Sequence, residues 1–179
     1  MPVRPWKILS SKHIHPIVRL DDVALPNGGR LEGTVFEFRD WVTVMALTPA
    51  GEMLLIRQYR HGLGRVIIEM PGGTMDADDS SPLEAARREL REETGYTSEA
   101  WVEVGCVSPN PANHTNMVHF FLAEDATPAG PQHLDPSEEI EVLPTPLEEV
   151  IAMAQRGELV QSMQVAALFF ALSHWKRIR

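Results

Sequence analysis

The stretch Ser81-Pro82-Leu83-Glu84-Ala85-Ala86-Arg87-Arg88-Glu89-Leu90-Arg91-Glu92-Glu93-Thr94-Gly95 carries both ends of a helix within itself. A serine able to cap, a proline at the first helical position and a glutamate three residues after the cap open it, and Gly95 closes it. The spacing predicts a helix over about residues 82–94. At about 100° per residue, Leu83, Ala86 and Leu90 share one arc of about 60° that must face a core. Glu89, Glu92 and Glu93 occupy a second arc of about 100° beside that stripe, not opposite it. Three carboxylates then crowd the margin of a buried face and repel one another unless a cation neutralises them. Mg²⁺ and Mn²⁺ prefer such oxygen ligands. The competing reading is a solvated acidic face interleaved with Arg87, Arg88 and Arg91. Immediately upstream, Glu69-Met70-Pro71-Gly72-Gly73 stops a short β-branched strand, and its glycines let backbone approach a ligand next to the helix.

The remaining pattern is that of an α/β chain. Ile14 to Leu25, the turn Pro26-Asn27-Gly28-Gly29 and a strand through Val35, Phe36 and Phe38 read as an antiparallel hairpin. Val42 to Leu47 and Met53 to Tyr59, joined by Thr48-Pro49-Ala50-Gly51-Glu52, read as a second hairpin lying in the core. Further strands are expected over Val66 to Met70, around Trp101 to Val107 and over Met117 to Ala123. The polar, Pro-rich stretch from Glu124 to Glu139 is a loop long enough to be functional. Thr145-Pro146-Leu147-Glu148 repeats the capping pattern ahead of a helix striped by Leu147, Val150, Ile151 and Ala154, and a last helix is expected from about Ser162 to Trp175. No repeat or linker divides the chain. It reads as one domain over 1–179, with an N-terminal β unit over 1–40 and a core over 41–179.

Charge and composition exclude several classes of partner. Sixteen Lys+Arg against 25 Asp+Glu give a net charge of −9, which disfavours sequence-independent nucleic-acid binding. The longest apolar run is the eight residues from Val165 to Leu172, far short of a membrane span, and Met1 to Pro16 has no signal-peptide core. With Cys106 as its one cysteine the chain cannot close an internal disulfide, and a cytoplasmic setting is expected. His13 and His15 would share a strand face, but without a carboxylate or Cys at ligand spacing they do not make a zinc site.

The residues from Gly73 to Tyr96 resemble the signature of the Nudix hydrolase family: a glycine, five residues, a glutamate, seven residues, then Arg-Glu-apolar-x-Glu-Glu-x-Gly-apolar. Here Gly73 is followed by Thr74 to Asp78, then Asp79, Ser80 to Arg87, and Arg88-Glu89-Leu90-Arg91-Glu92-Glu93-Thr94-Gly95-Tyr96. The second half matches throughout. The first half has Asp79 in place of the glutamate and one extra residue before Arg88, placed ahead of Ser81 where it lengthens a loop and spares the helix register. Outside the box, Arg57-Gln58-Tyr59-Arg60, Asn110-Pro111-Ala112-Asn113 and Gly157-Glu158-Leu159 are similar to segments of ADP-ribose pyrophosphatases and related nucleotide-sugar hydrolases.

The resemblance implies an α/β/α sandwich, a mixed central sheet between helices, with the N-terminal antiparallel β unit added. It implies Mg²⁺-dependent hydrolysis of ADP-ribose or a similar nucleoside-diphosphate sugar, with Mn²⁺ as an alternative cation. Glu89, Glu92 and Glu93 would hold metal with the Gly72 carbonyl, and Arg88 would orient Glu89 or Glu92. Arg60, and less securely Arg57, would pair with a substrate phosphate, and Glu69 would join them at the substrate. Glu138 or Glu139, at the end of the long loop, would be the general base on a hinged lid, with Glu139 slightly favoured. Trp41, Trp6 and Phe36 are candidates for stacking on adenine by position only, and His114 for a substrate contact. The resemblance also implies a homodimer in which the N-terminal strands cross to the partner. GDP-mannose, a dinucleoside polyphosphate, and a non-catalytic ADP-ribose-sensing role are the alternatives.

Overall fold

The computed structural model describes residues 3–176. They divide into two compact units, one made of the chain up to Arg39 with Ser108–Met117, the other of Asp40–Val107 with Val118 onward. The smaller unit is an antiparallel meander of β1 (Lys7–His15), β2 (Val18–Ala24) and β3 (Arg30–Phe36), with β2 in the middle. The expected turn joins β2 to β3: Leu25 N donates to Gly29 O at 2.9 Å, and Gly28 takes φ +87°.

The stretch from Ile14 to Leu25 is not a single strand. The chain reverses between His15 and Val18, where Pro16 lacks the N–H that a ladder needs and fixes φ. β1 gives no alternating pattern to read, because all nine of its residues are exposed.

The larger unit runs β4 (Trp41–Ala46), β5 (Glu52–Arg60), a 3-10 turn (His61–Leu63), β6 (Arg65–Glu69), α1 (Pro82–Thr94), β7 (Tyr96–Thr97), β8 (Ala100–Val107), β9 (Val118–Glu124), β10 (Thr127–Pro128), β11 (Ile140–Pro146), α2 (Leu147–Gln155) and α3 (Ser162–His174). Two three-stranded sheets carry it: β11-β5-β6, all antiparallel, and β4-β9-β8, in which β4 and β9 are parallel and β8 antiparallel to β9. β7 and β10 form a small separate ladder.

The expected β4–β5 hairpin therefore does not form. Leu47 and Met53 make one isolated bridge, and the two strands then enter different sheets. Their composition explains this, since residues apolar on both faces are not satisfied by a two-stranded ribbon. Met45, Met53, Leu55, Phe120 and Leu122 point into one core, which Val150 and Met153 of α2 and Leu168 and Ala171 of α3 complete. The alternate residues Val42, Val44, Leu54, Phe121 and Ala123 point into a second core closed by Ala85, Ala86 and Leu90 of α1. Period-2 alternation thus puts α2 and α3 over one face and α1 over the other, the α/β/α layering that the resemblance implies.

Helix α1 begins and ends where expected. Ser81 Oγ accepts from Glu84 N at 3.3 Å, and Gly95, at φ +73°, caps the C-terminus. The second capping pattern is overturned: Thr145 and Pro146 end β11, Thr145 Oγ1 donates to Leu143 O, and no side chain caps α2. A proline at the N-cap has no side-chain acceptor to offer.

Candidate functional site

The loop between β6 and α1 is laced to β4. Val44 N donates to Pro71 O at 2.8 Å and Val42 N to Gly73 O at 2.9 Å. Gly72 takes φ +149°, and a Cβ on it would stand 2.2 Å from Val42 O, so only glycine permits the crossing. The buried Gln164 of α3 fixes the start of the loop, its Oε1 accepting from Met70 N at 2.6 Å. Sequence reasoning missed Gln164; a lone glutamine among the apolar residues of α3 was the available signal.

This loop meets the acidic edge of α1. Gly72 N donates to Glu93 Oε2 at 2.7 Å, and a Cβ on Gly73 would lie 2.5 Å from Glu89 Oε1. Glu93 is 3% exposed. Burial, before the charges of Glu89 and Glu138, pushes its carboxyl up to about 8, although Gly72 N and Arg60 pull the other way. Glu89 is pushed up to about 7, again mainly by burial, against the pull of Arg88. Glu92, on the same arc, is more open and accepts from Arg88 Nη1 at 3.0 Å.

Arg88 is the hub of the site. Nη1 also donates to Glu89 Oε1 at 3.0 Å, Nη2 to Thr74 O at 3.2 Å, and Nε and Nη2 grip Asp79 at 3.2 and 3.0 Å. Asp79 therefore has a partner despite the extra residue before the helix: the lengthened loop folds back and presents its carboxylate bidentately to Arg88. That pairing holds the Asp79 carboxyl below its ordinary range.

Arg60, at the end of β5, donates from Nε to Glu69 Oε2 at 2.7 Å, and its charge reaches Glu93. Glu69 is 1% exposed and its Oε1 has no hydrogen-bond partner. It anchors Arg60 from within the fold. Arg57 instead pairs with Glu141 at 2.7 Å across the β5–β11 ladder, both side chains being exposed. Trp41 opens β4 and packs half-buried against the core shared with α3. In the smaller unit, Phe36 stacks on Phe38 at 5.9 Å with His114 edge-on to both, and Trp6 is exposed.

The segment from Glu124 to Glu139 is not a free flap along its length. It contains β10, and Ala129 N, His133 N and Gln132 Nε2 donate to Gly95 O, Glu92 O and Glu93 O at 2.7, 2.9 and 2.5 Å. These bonds satisfy carbonyls that the end of α1 leaves open. Beyond them Asp135–Glu138 makes a turn, with Glu138 N donating to Asp135 O at 2.9 Å. Of the two candidate bases, Glu138 is the one whose charge acts on both Glu89 and Glu93.

The donor set fits a divalent cation. The carboxyls of Glu89 and Glu93, pushed up first by burial and then by neighbouring acidic charge, stand against glycines closed up to backbone contact, a setting that suits a small oxygen-seeking ion. Arg88 is already occupied by four acceptor groups.

Comparison with known proteins agrees. The chain is 31% identical over 163 residues to an ADP-ribose pyrophosphatase of Bacillus subtilis, covering 90% of this chain and 86% of that protein. It is 32% identical over 141 residues to a GDP-mannose pyrophosphatase of Yersinia enterocolitica, covering 70% and 69%. A solved structure of an ADP compounds hydrolase superposes with a TM-score of 0.86 at 21% identity, covering 99% of this chain and all of that one, and thus shares the fold. The NUDIX domain profile matches residues 37–164, which take in the glycine loop, Arg88 and every carboxylate of the α1 edge, and the chain belongs to the Nudix family.

Proposed function

We propose that the chain hydrolyses the diphosphate linkage of ADP-ribose or a similar nucleoside-diphosphate sugar, adding water across P–O–P to give a nucleoside monophosphate and a sugar phosphate. The observation that carries this reading is the pair Glu89 and Glu93 set against Gly72 and Gly73, Glu93 buried and bonded to Gly72 N and Glu89 filling the place a Cβ on Gly73 would take. Glu89, Glu92, Glu93 and the Gly72 carbonyl are the groups that would hold the cation. Mg²⁺, with Mn²⁺ as an alternative, supplies neutralisation of the diphosphate and acidity to a water when bound.

The chain's own residues do the rest. Arg88 orients Glu89 and Glu92 through one nitrogen and braces the loop through the other two. Arg60, held by Glu69, presents its remaining N–H groups to a substrate phosphate. Glu138, on its turn next to the acidic edge, takes the proton of the attacking water. Glu139 is the control position for that assignment. Arg57 serves the β5–β11 surface, since Glu141 already occupies it.

The likeness to the Bacillus protein supports ADP-ribose, and the likeness to the Yersinia protein supports GDP-mannose as the second reading. The exposed apolar residues of the meander, Ile8, Leu9 and Ile14 on β1 with Trp6 before it, support a homodimer built through that unit. A cytoplasmic setting completes the proposal.

The test is incubation with Mg²⁺ and ADP-ribose, GDP-mannose, UDP-glucose, NADH and diadenosine polyphosphates, with products separated by chromatography. AMP and ribose 5-phosphate from ADP-ribose, lost on chelation and in Glu93→Gln, are expected. Hydrolysis of GDP-mannose alone moves the assignment to the second reading. Binding of ADP-ribose without turnover, unchanged in Glu93→Gln, overturns the enzyme.

A further inference from the structure

A second group of metal-ligating side chains lies away from the acidic edge of α1, on the β8–β9 ladder. Cys106 is directly opposite His119 in that ladder. Glu103 is three residues before Cys106, a spacing that ordinarily puts two side chains on opposite faces of a strand. Here the register shifts between Glu103 and Gly105. The inserted residue restores both side chains to one face.

Packing explains why the bulge stands there. Val104 packs against the core on the α3 side, and Gly105 leaves the space that Phe170 fills, a Cβ on it falling 2.8 Å from that ring. Two successive residues thus face α3, and Glu103 and Cys106 are both turned the other way, towards His119. One ligand atom from each of Glu103, Cys106 and His119 lies within 4.8 Å of the others, the one such group of three among the described residues.

We propose that Glu103, Cys106 and His119 form a second metal site, selective for a borderline transition ion of the Zn²⁺ class and distinct in chemistry from the all-oxygen edge of α1. Thiolate, imidazole and carboxylate is a donor set that zinc accepts and that Mg²⁺ does not. In a tetrahedral zinc site such donors stand about 3.2–3.8 Å apart. The present group lies within 4.8 Å, with His119 Nδ1 and Glu103 Oε1 sharing a 2.8 Å hydrogen bond.

The imidazole is also oriented for the task. With Nδ1 turned to Glu103, Nε2 is 3.5 Å from Asp40 Oδ2. A carboxylate behind the second nitrogen is the usual support of a ligating histidine, because it fixes the tautomer and raises the basicity of the other nitrogen. Asp40 stands just before β4, so an ion here would tie β8 and β9 to a third segment of the sheet. Three protein donors leave one tetrahedral position for water or an exogenous ligand.

The test uses the full chain, stripped with chelator and free of Mg²⁺, titrated with Co²⁺ and then with Zn²⁺ in competition. Wild type is expected to develop a near-ultraviolet thiolate-to-cobalt band, to lose it to one equivalent of Zn²⁺, and to melt at a higher temperature with Zn²⁺ present. Cys106→Ser and His119→Ala abolish the band, and Asp40→Asn weakens Zn²⁺ affinity by about tenfold. Glu93→Gln keeps the band, which separates this site from the one proposed for hydrolysis. No band in wild type, or a band that persists in Cys106→Ser or His119→Ala, overturns the proposal. Metal-free melts of the exposed Cys106→Ser variant, expected to match wild type, exclude unfolding as the cause of a lost band.

Discussion

Gly73 has no room for a side chain, because the nearest atoms a Cβ would meet belong to Glu89. Gly73→Ala should therefore displace a carboxylate and leave the strand order untouched. The expected outcome is a loss of about 100-fold in kcat/KM, as for a misplaced reacting group, with a melting temperature close to wild type; steady-state kinetics beside calorimetry check it. Arg60 and Glu69 make the complementary case. Glu69 is buried with one oxygen unpartnered, so Arg60→Ala removes the partner of its other oxygen and should cost about 1–3 kcal/mol. Glu69→Gln added to Arg60→Ala should recover part of that loss, and a double-mutant cycle in urea reads the coupling. The residue types of this site were legible in the sequence, as was the pairing of Arg88 with Glu89 or Glu92, and the partners of Arg57, Arg60 and Asp79 were not. Arg57 and Arg60 are three apart on one strand, which puts them on opposite faces, and the register of β11 decides that Arg57 meets Glu141. Register is a long-range fact that local spacing does not carry.

Among the elements, α1 is the one whose limits follow from its own residues. Its cap, its first-turn proline and its terminal glycine act within one turn of chain, so no distant partner is needed to place them. Ser81→Ala should cost about 0.5–2 kcal/mol, measured by chemical denaturation, with the loop anchored by Arg88 loosening first in amide exchange. Elements defined by pairing were less legible. β4 and β5 are adjacent in sequence and apolar on both faces, which suits a hairpin locally, and only the presence of β9 and β11 elsewhere draws them into separate sheets. β1 is an edge strand with every residue exposed, a setting that leaves no amphipathic trace. The extra residue ahead of Ser81 was readable as sparing the helix register because it precedes the cap, and the chain from Met75 to Ser80 carries no helix or strand.

For the whole molecule, the buried carboxyls link stability to pH and to metal. A carboxyl raised from its unfolded value to about 7 or 8 contributes in full below the unfolded value, and its contribution is lost as pH rises through the folded one. The chelated protein should thus lose melting temperature steadily between about pH 5 and 9, and a divalent cation should restore most of it at the alkaline end. The same linkage requires protons to leave when the cation binds near pH 7, which calorimetry in buffers of different ionisation enthalpy would detect. Glu93→Gln should flatten both responses.

The parallel pairing of β4 with β9 bears on how the chain is made as well as how it stands. Trp41–Ala46 leaves the ribosome early, apolar on both faces, and its ladder partner is not complete until Glu124 has been added. Throughout that interval the edge of β4 that β9 will cover stays open, although the loop from Pro71 to Thr74 can already pair with the other edge. A nascent chain halted before Val118 should therefore be a substrate for chaperones, and refolding from denaturant should be limited by the closure of the long-range pairings β4–β9 and β5–β11.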